Sequence, residues 1–305
     1  MENKIILSES DKIAAASKLV LDGLNSPHSR TMYNRALVDF LTWRQIEKQS
    51  APLSKAMVQE YRQILLGKYA PATVNQKLSA IRQLAVEAAD NGLMDPHDAA
   101  AIGRVKGTKR AGVRSGNWLS LDQAQKLINA PDLSRLKGIR DRAILAVMLG
   151  GGLRRSEVAS LRFEHIQQRD GRWVISDLIG KGGRVRTVPI QPWAKQAIDE
   201  WAQAAGIAQD FIFRYINRGG KLAGNSMTSQ AIQNVVKEYA QKCGYELAAH
   251  DLRRTFAKLA RKSGGDLMQI QLTLGHASVQ TTERYIGEKQ NLSCAAGDGI
   301  KLHLE

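Results

Sequence analysis

Between residues 101 and 117 the chain reads AIGRVKGTKRAGVRSGN, and the apolar periodicity that precedes it stops there. The stretch holds four glycines, the five cations Arg104, Lys106, Lys109, Arg110 and Arg114, and no acidic residue. Such a segment supplies neither a half-buried strand nor an amphipathic helix, so it marks a break in the fold. The 305 residues suit two domains on either side of it. The expected organisation is a helical domain over 1–102, a basic linker over 103–116, a second domain over 117–290 and a tail over 291–305.

The first hundred residues carry helical spacing and no strand signal. In SRTMYNRALVDFLTWRQIEK, Met32, Leu37, Phe40, Leu41 and Trp43 recur at three- and four-residue intervals, with Ser29 placed to cap. A second helix is expected through KAMVQEYRQILLG. A third runs through PATVNQKLSAIRQLAVEAADNG, with Pro71 in its first turn and Gly92 at its end. After the linker, Ser120 or Asp122 can cap a helix. IRDRAILAVMLGGGLRRSEVASLRF then reads as an apolar helix, a glycine break and a new helix start. Trp173–Ile175 and Val185–Ile190 read as the two strands of a hairpin around GKGG. Helices resume from QPWAKQAIDEWAQAA to near Tyr285. The terminal IKLHLE alternates apolar and polar residues, a strand pattern.

Charge narrows the function. The formal net charge is +15, from 44 Lys and Arg against 29 Asp and Glu. A chain this basic meets a polyanion, nucleic acid ahead of an anionic membrane surface, or is merely a basic soluble protein. Two cysteines build no disulfide framework. MENKIILSESDK lacks a signal-peptide core, and no apolar run has the length of a membrane span. The expected location is cytoplasmic, on the nucleoid when bound to DNA. The linker cations can be a solvated tether or a strap across a phosphate backbone; the overall charge favours the strap.

Four short stretches place charged or titratable residues beside small or capping ones: GLRRSE (152–157), GKGGRVRTVP (180–189), HDLRRTF (250–256) and LGHASVQTTERYI (274–286). His250 and Arg253 are three apart and share a helix face, as do Arg154 and Glu157. Two arginines from separate segments can clamp one phosphate with paired donors. GKGG lacks the glycine and Ser/Thr of a phosphate-binding loop. The histidines and cysteines lack metal-ligand spacing, so no metal is expected. Tyr33, Tyr61, Tyr69, Tyr215, Tyr239 and Tyr245 stand outside these stretches and read as packing.

In this order, the four stretches resemble the tyrosine recombinase (phage integrase) family of site-specific DNA recombinases, in its simpler, Xer-like form without an arm-binding domain. The resemblance covers about residues 116 to 290, and the helical first half resembles the family's core-binding domain. It implies an all-α, SAM-like N-terminal bundle and a mixed, mainly α-helical catalytic domain with a small antiparallel sheet. It further implies that Arg154 and Arg253 are the catalytic arginines and Lys181 the catalytic lysine. His250 and His276 fill the two histidine positions, Glu157 supports them and Tyr285 is the nucleophile. Arg184 and Arg186 on the hairpin join the linker cations as DNA-binding candidates.

The implied reaction cuts and rejoins DNA through a covalent 3′-phosphotyrosine, which conserves the phosphodiester energy without ATP. No cofactor is implied. The implied partners are double-stranded recombination sites and three further copies of the chain in a tetramer that resolves a Holliday junction. The 291–305 tail is expected to dock on a neighbouring protomer. Accessory proteins are left open. A type IB topoisomerase and a DNA-binding regulator without chemistry are the alternatives.

Overall fold

The computed structural model describes residues 8–49, 51–109, 117–180, 183 and 185–287. The chain divides into two units between Val113 and Arg114, inside the basic stretch. The 291–305 tail lies outside the described residues.

The N-terminal unit is helical throughout its described residues. It comprises α1 (Glu9–Asp22), α2 (Pro27–Lys48), α3 (Lys55–Lys68), α4 (Pro71–Asp90) and α5 (Pro96–Gly103). Local chemistry sets the helix starts. Ser8, Ser26, Ser54 and Asp95 each accept a backbone N–H of the first turn, and Pro27, Pro71 and Pro96 sit where no intrahelical donor is needed. Ser26 rather than Ser29 is therefore the cap of α2; Ser29 donates its backbone N–H to the Ser26 hydroxyl. Helices α1 and α5 go beyond the three read from periodicity. α4 is the central helix: Val74, Leu78, Ile81, Leu84 and Ala85 are fully buried against the others.

The beginning of the basic stretch belongs to this unit. Residues 101–103 close α5, Val105 is buried, and Arg82 donates to the Val105 carbonyl. The Asn75 amide brackets Thr108, accepting from its N–H at 2.8 Å and donating to its carbonyl at 2.9 Å. The connection thus starts fastened rather than as a free tether.

The C-terminal unit contains α6 (Leu121–Ile128), α7 (Leu136–Gly151), α8 (Arg155–Ala159), a 3₁₀ turn (Phe163–His165) and three strands, β1 (Ile166–Arg169), β2 (Arg172–Ile179) and β3 (Val185–Pro189). Five helices follow: α9 (Pro192–Ala205), α10 (Ser229–Lys242), α11 (Ala249–Lys262), α12 (Leu267–Leu274) and α13 (Val279–Ile286). α7 is buried on all faces from Ala143 to Leu149, which explains its unbroken apolar run. α9 and α11 pack on it. Of the two capping candidates for α6, Ser120 is the cap, paired reciprocally with Gln123.

The strands form one antiparallel sheet in the order β1-β2-β3, so the expected hairpin gains a first strand. Ile175 faces Val188, but Leu178 faces Arg186, a one-residue shift produced by a bulge in β2, where Asp177 takes φ 56°. Directly opposed residues share a sheet face, so the buried Leu178 and Val188 set an inward direction for Arg186. α13 and the end of α12 lie on a separate small core of Ala257, Ile270, Leu274 and Ile286.

Candidate active site

Six of the motif residues converge where α7 ends, α11 begins and the α12–α13 turn passes between them. α7 stops at Gly152, which takes φ 60° and whose carbonyl accepts from Arg253 Nη1 at 2.6 Å. An added Cβ there would meet Phe256 Cδ1 at 2.6 Å, so glycine is required by both conformation and space. Leu153 is fully buried and anchors the following turn. Arg154 comes next as the residue capping α8.

Glu157 accounts for the GLRRSE spacing. Its carboxylate accepts from Arg154 N and Arg154 Nη1, each at 2.7 Å. Three positions into α8, the acid returns to the helix start and holds the arginine's backbone and head together. Burial alone would raise the Glu157 pKa. The bonds from Arg186 and from the Arg154 backbone outweigh it and hold the value at about 2, so the group is a carboxylate at neutral pH.

Arg253 is fully buried, one turn into α11. It donates to the Gly152 carbonyl and, through Nη2, to the Leu274 carbonyl, which ties α11 to both chain reversals of the site. Its Nε is buried with no acceptor among the described residues. Burial first and the Arg154 charge second push its pKa down to about 9, which leaves it a cation at neutral pH. Arg154 and Arg253, with Arg155, Ser156, Gln233 and His250, wall a cleft of about 390 Å³.

The LGHASVQTTERYI segment is two helices and a reversal. α12 ends on Gly275 at φ 63°, and Ser278 caps α13 by accepting from Gln280 N. His276 lies between them, nearly buried. Its Nδ1 is hydrogen-bonded to Thr282 Oγ1 at 2.9 Å, and burial followed by the Arg253 and Arg154 charges lowers its pKa to about 3. The ring is therefore neutral at pH 7.

Tyr285 stands on α13 with its hydroxyl hydrogen-bonded to His250 Nε2. The His276 ring centroid is 4.7 Å from the Tyr285 ring and the Arg254 guanidinium 5.3 Å from it. The His250 pKa is lowered, by desolvation first and then by Arg253 and Arg254, which keeps its imidazole available as a proton acceptor at neutral pH.

Arg186 is placed differently from the DNA contact expected of it. Its side chain is turned inward and bonded to both Glu157 oxygens and to the Thr273 carbonyl. Lys181, Arg184, Arg110 and Arg114 lie outside the described residues. Arg104, Lys106 and Lys109 are exposed on the N-terminal unit, where Arg104 and Lys106 join Lys55 and Arg62 around a groove of about 580 Å³. Thr282 and the Gly152 carbonyl were not picked out from sequence. The paired threonines of QTTERYI, one turn before the tyrosine, are the signal that points to Thr282.

The chain is similar to known proteins over most of its length. The family model described as "Phage integrase family" matches residues 117–291. A tyrosine recombinase XerC of Xanthomonas campestris pv. campestris (strain B100) is 30% identical over 270 residues, covering 85% of this chain and 78% of that protein. A tyrosine recombinase XerC of Thermodesulfovibrio yellowstonii is 30% identical over 272 residues, with 86% of each chain covered. Two solved structures share the fold. XerH site-specific recombinase bound to palindromic difH substrate matches with a TM-score of 0.67 at 21% identity, over 92% of this chain and 81% of that one. A lambda integrase (75–356) dimer bound to a COC′ core site matches with a TM-score of 0.66 at 15% identity, over 97% and 98%. No helix among the described residues is long and apolar enough to cross a membrane.

Proposed function

Since the chain belongs to the phage integrase family of tyrosine recombinases, a site-specific DNA recombinase, we propose that Tyr285 is the nucleophile that breaks and reseals its DNA strands. The observation that carries this assignment is the hydrogen bond between the Tyr285 hydroxyl and His250 Nε2, beside the Arg154–Arg253 cleft.

A phenol is a weak nucleophile while protonated, its reference pKa being about 10. His250 Nε2 takes the proton as Tyr285 Oη attacks phosphorus. The new bond is Oη–P, the broken one P–O5′, and the product is a 3′-phosphotyrosine with a free 5′ hydroxyl. Lys181 delivers the proton to the departing oxygen. Charge that develops on the non-bridging oxygens is met by Arg154 and Arg253, preorganised before DNA arrives. With Thr282 Oγ1 donating in its bond to His276 Nδ1, the ring proton sits on Nε2, a neutral donor for the same phosphate. Reversal by an incoming 5′ hydroxyl completes strand exchange.

Double-stranded recombination sites are the substrate. Arg104, Lys106, Lys109, Arg110, Arg114 and Arg184 contribute backbone contacts, and four protomers on two synapsed sites carry out the exchange, with the 291–305 tail on a neighbour.

The test uses nicked duplexes recovered from a randomised pool by binding to the protein, incubated in EDTA. Wild type forms a covalent protein–DNA adduct and Tyr285→Phe forms none. An adduct that persists in the Phe variant overturns the assignment of Tyr285.

A further inference from the structure

Arg186 is a nearly buried cation at the meeting point of three segments of the site. On the reading of Tyr285 as nucleophile, we propose that Arg186 is a positioning residue that fastens the β2–β3 hairpin to α8 and α12 and keeps Glu157 from capturing Arg154.

The fastening follows from the bonds. Nη1 and Nη2 donate to the two Glu157 oxygens, each at 2.8 Å, and Nε donates to the Thr273 carbonyl at 2.8 Å. The side chain is 8% exposed and Glu157 4%, so this is a bidentate pair shielded from solvent. The arginine stem also runs under the turn that delivers His276. A Cβ at Gly275 would lie 2.8 Å from Arg186 Cδ, so the glycine makes room for the arginine. One side chain therefore links β3, which follows Lys181 in sequence, the helix start that holds Arg154 and the reversal that holds His276.

The electrostatic part follows from counting partners. Glu157 accepts four N–H groups, two from Arg154 and two from Arg186. The Arg154 side chain engages it through Nη1 alone, and Arg154 also lines the cleft. With Arg186 removed, both carboxylate oxygens are open to the Arg154 fork. The phosphate then has to displace a buried, ionised competitor from the cation meant to receive it. Arg186 thus acts on the reaction through Arg154, without touching DNA.

The proposal is tested with Arg186→Met, Arg186→Lys and the double variant Arg186→Met/Glu157→Gln. In single-turnover cleavage of nicked duplex, Arg186→Met falls about 10²-fold, the scale of a small misplacement of reacting groups. Arg186→Lys, which keeps the charge and loses the fork, falls less. Neutralising Glu157 in the Met background recovers on the order of tenfold, as expected for directly coupled side chains. The slope of log Kd against log salt stays at the wild-type value, whereas loss of a phosphate contact lowers it by about one. Wild-type cleavage in Arg186→Met, a lowered salt slope, or no recovery in the double variant each overturns the proposal.

Hydrogen exchange separates this outcome from failure of the Tyr285 assignment. Selective loss of protection at Val185–Val188 and Gly275–His276 in Arg186→Met, with α7 unchanged, supports the fastening even if wild type forms no adduct. Unchanged protection at those amides overturns it. Should the Met variant not fold, the same measurements on Arg186→Lys decide, with the smaller changes expected of a lost fork.

Discussion

The Tyr285 hydroxyl and His250 Nε2 are hydrogen-bonded across two helices, with their rings edge to face and their centroids 5.3 Å apart. The tyrosine comes from α13 and the histidine from the first turn of α11, so the pair depends on how these two short stretches dock. The phenol and the imidazole nitrogen are thus within hydrogen-bond reach before any substrate is present.

That pair predicts an acid limb in the pH profile of cleavage. His250 accepts only when neutral, and its pKa is lowered from 6.5. Single-turnover cleavage should therefore rise with pH to a plateau, with a midpoint below 6.5. Arg254 is one of the cations responsible for the lowering. Arg254→Gln removes a charge that opposes the imidazolium, so the midpoint moves to higher pH. A limb that stays in place in Arg254→Gln would count against His250 as the titrating group. His250→Gln should lose about 10²–10⁴ in rate, the usual contribution of a general base.

His276 and Glu157 make stability pH-dependent with the same sign. The His276 pKa is about 3 in the fold against 6.5 unfolded, and that of Glu157 about 2 against 4.5. Between each pair of values the unfolded chain binds more protons than the folded one, so stability rises with pH. Their contribution is complete above 6.5 and is lost as pH falls, through His276 first. Urea unfolding between pH 6.5 and 4.5 isolates the histidine effect. His276→Asn should flatten the slope there, and His250, whose shift has the same direction, leaves a remainder.

Gly152→Ala should damage fold and chemistry together. The added methyl meets Phe256 and Leu274 while the backbone stays at φ 60°. Strain and overpacking of this kind cost about 1–3 kcal/mol each. The carbonyl that orients Arg253 shifts as well. Both the thermal midpoint and the cleavage rate should fall. An unchanged melting curve would show that the α7 end tolerates a side chain.

Lys106→Ala, in the groove of the N-terminal unit, should weaken binding to all duplexes alike and lower the salt slope by about one. Equilibrium titrations at several salt concentrations measure it. A sequence-dependent loss would instead make Lys106 a base contact.

The fold and the site were legible to different depths. The helix starts were written in Ser, Asp and Pro, and one error, Ser29 for Ser26, came from passing over Pro27 as the first helical residue. β1 escaped notice because IQQR has one apolar residue and so shows no alternation to read. The residues proposed for catalysis stood in short motifs, and among the described residues the fold brings Arg154, Glu157, His250, Arg253, His276 and Tyr285 together. Arg186 was taken for a DNA contact because a cation next to a basic turn suggests phosphate. Strand alternation held the correction: Val188 faces inward, so Arg186 two residues earlier faces inward too. The bulge that aligns it with Leu178 depends on backbone geometry at Asp177 and has no sequence signature of the glycine kind.

The small core beneath α13 has a consequence for control. α13 is eight residues long, closed by Ser278 and Gly287, and buries only Thr282 and Ile286. Burying one isoleucine is worth about 1.5–3 kcal/mol, and the Thr282–His276 and Tyr285–His250 hydrogen bonds add about 1 each. A helix of that length is marginal by itself in water, so leaving its seat and unwinding are one event. The large core around α7 forms a separate cluster. The tyrosine proposed as nucleophile is therefore held by contacts worth a few kcal/mol, fewer than those of the core around α7. A contact worth a few kcal/mol, made or withdrawn at α13, would therefore change how often Tyr285 meets His250.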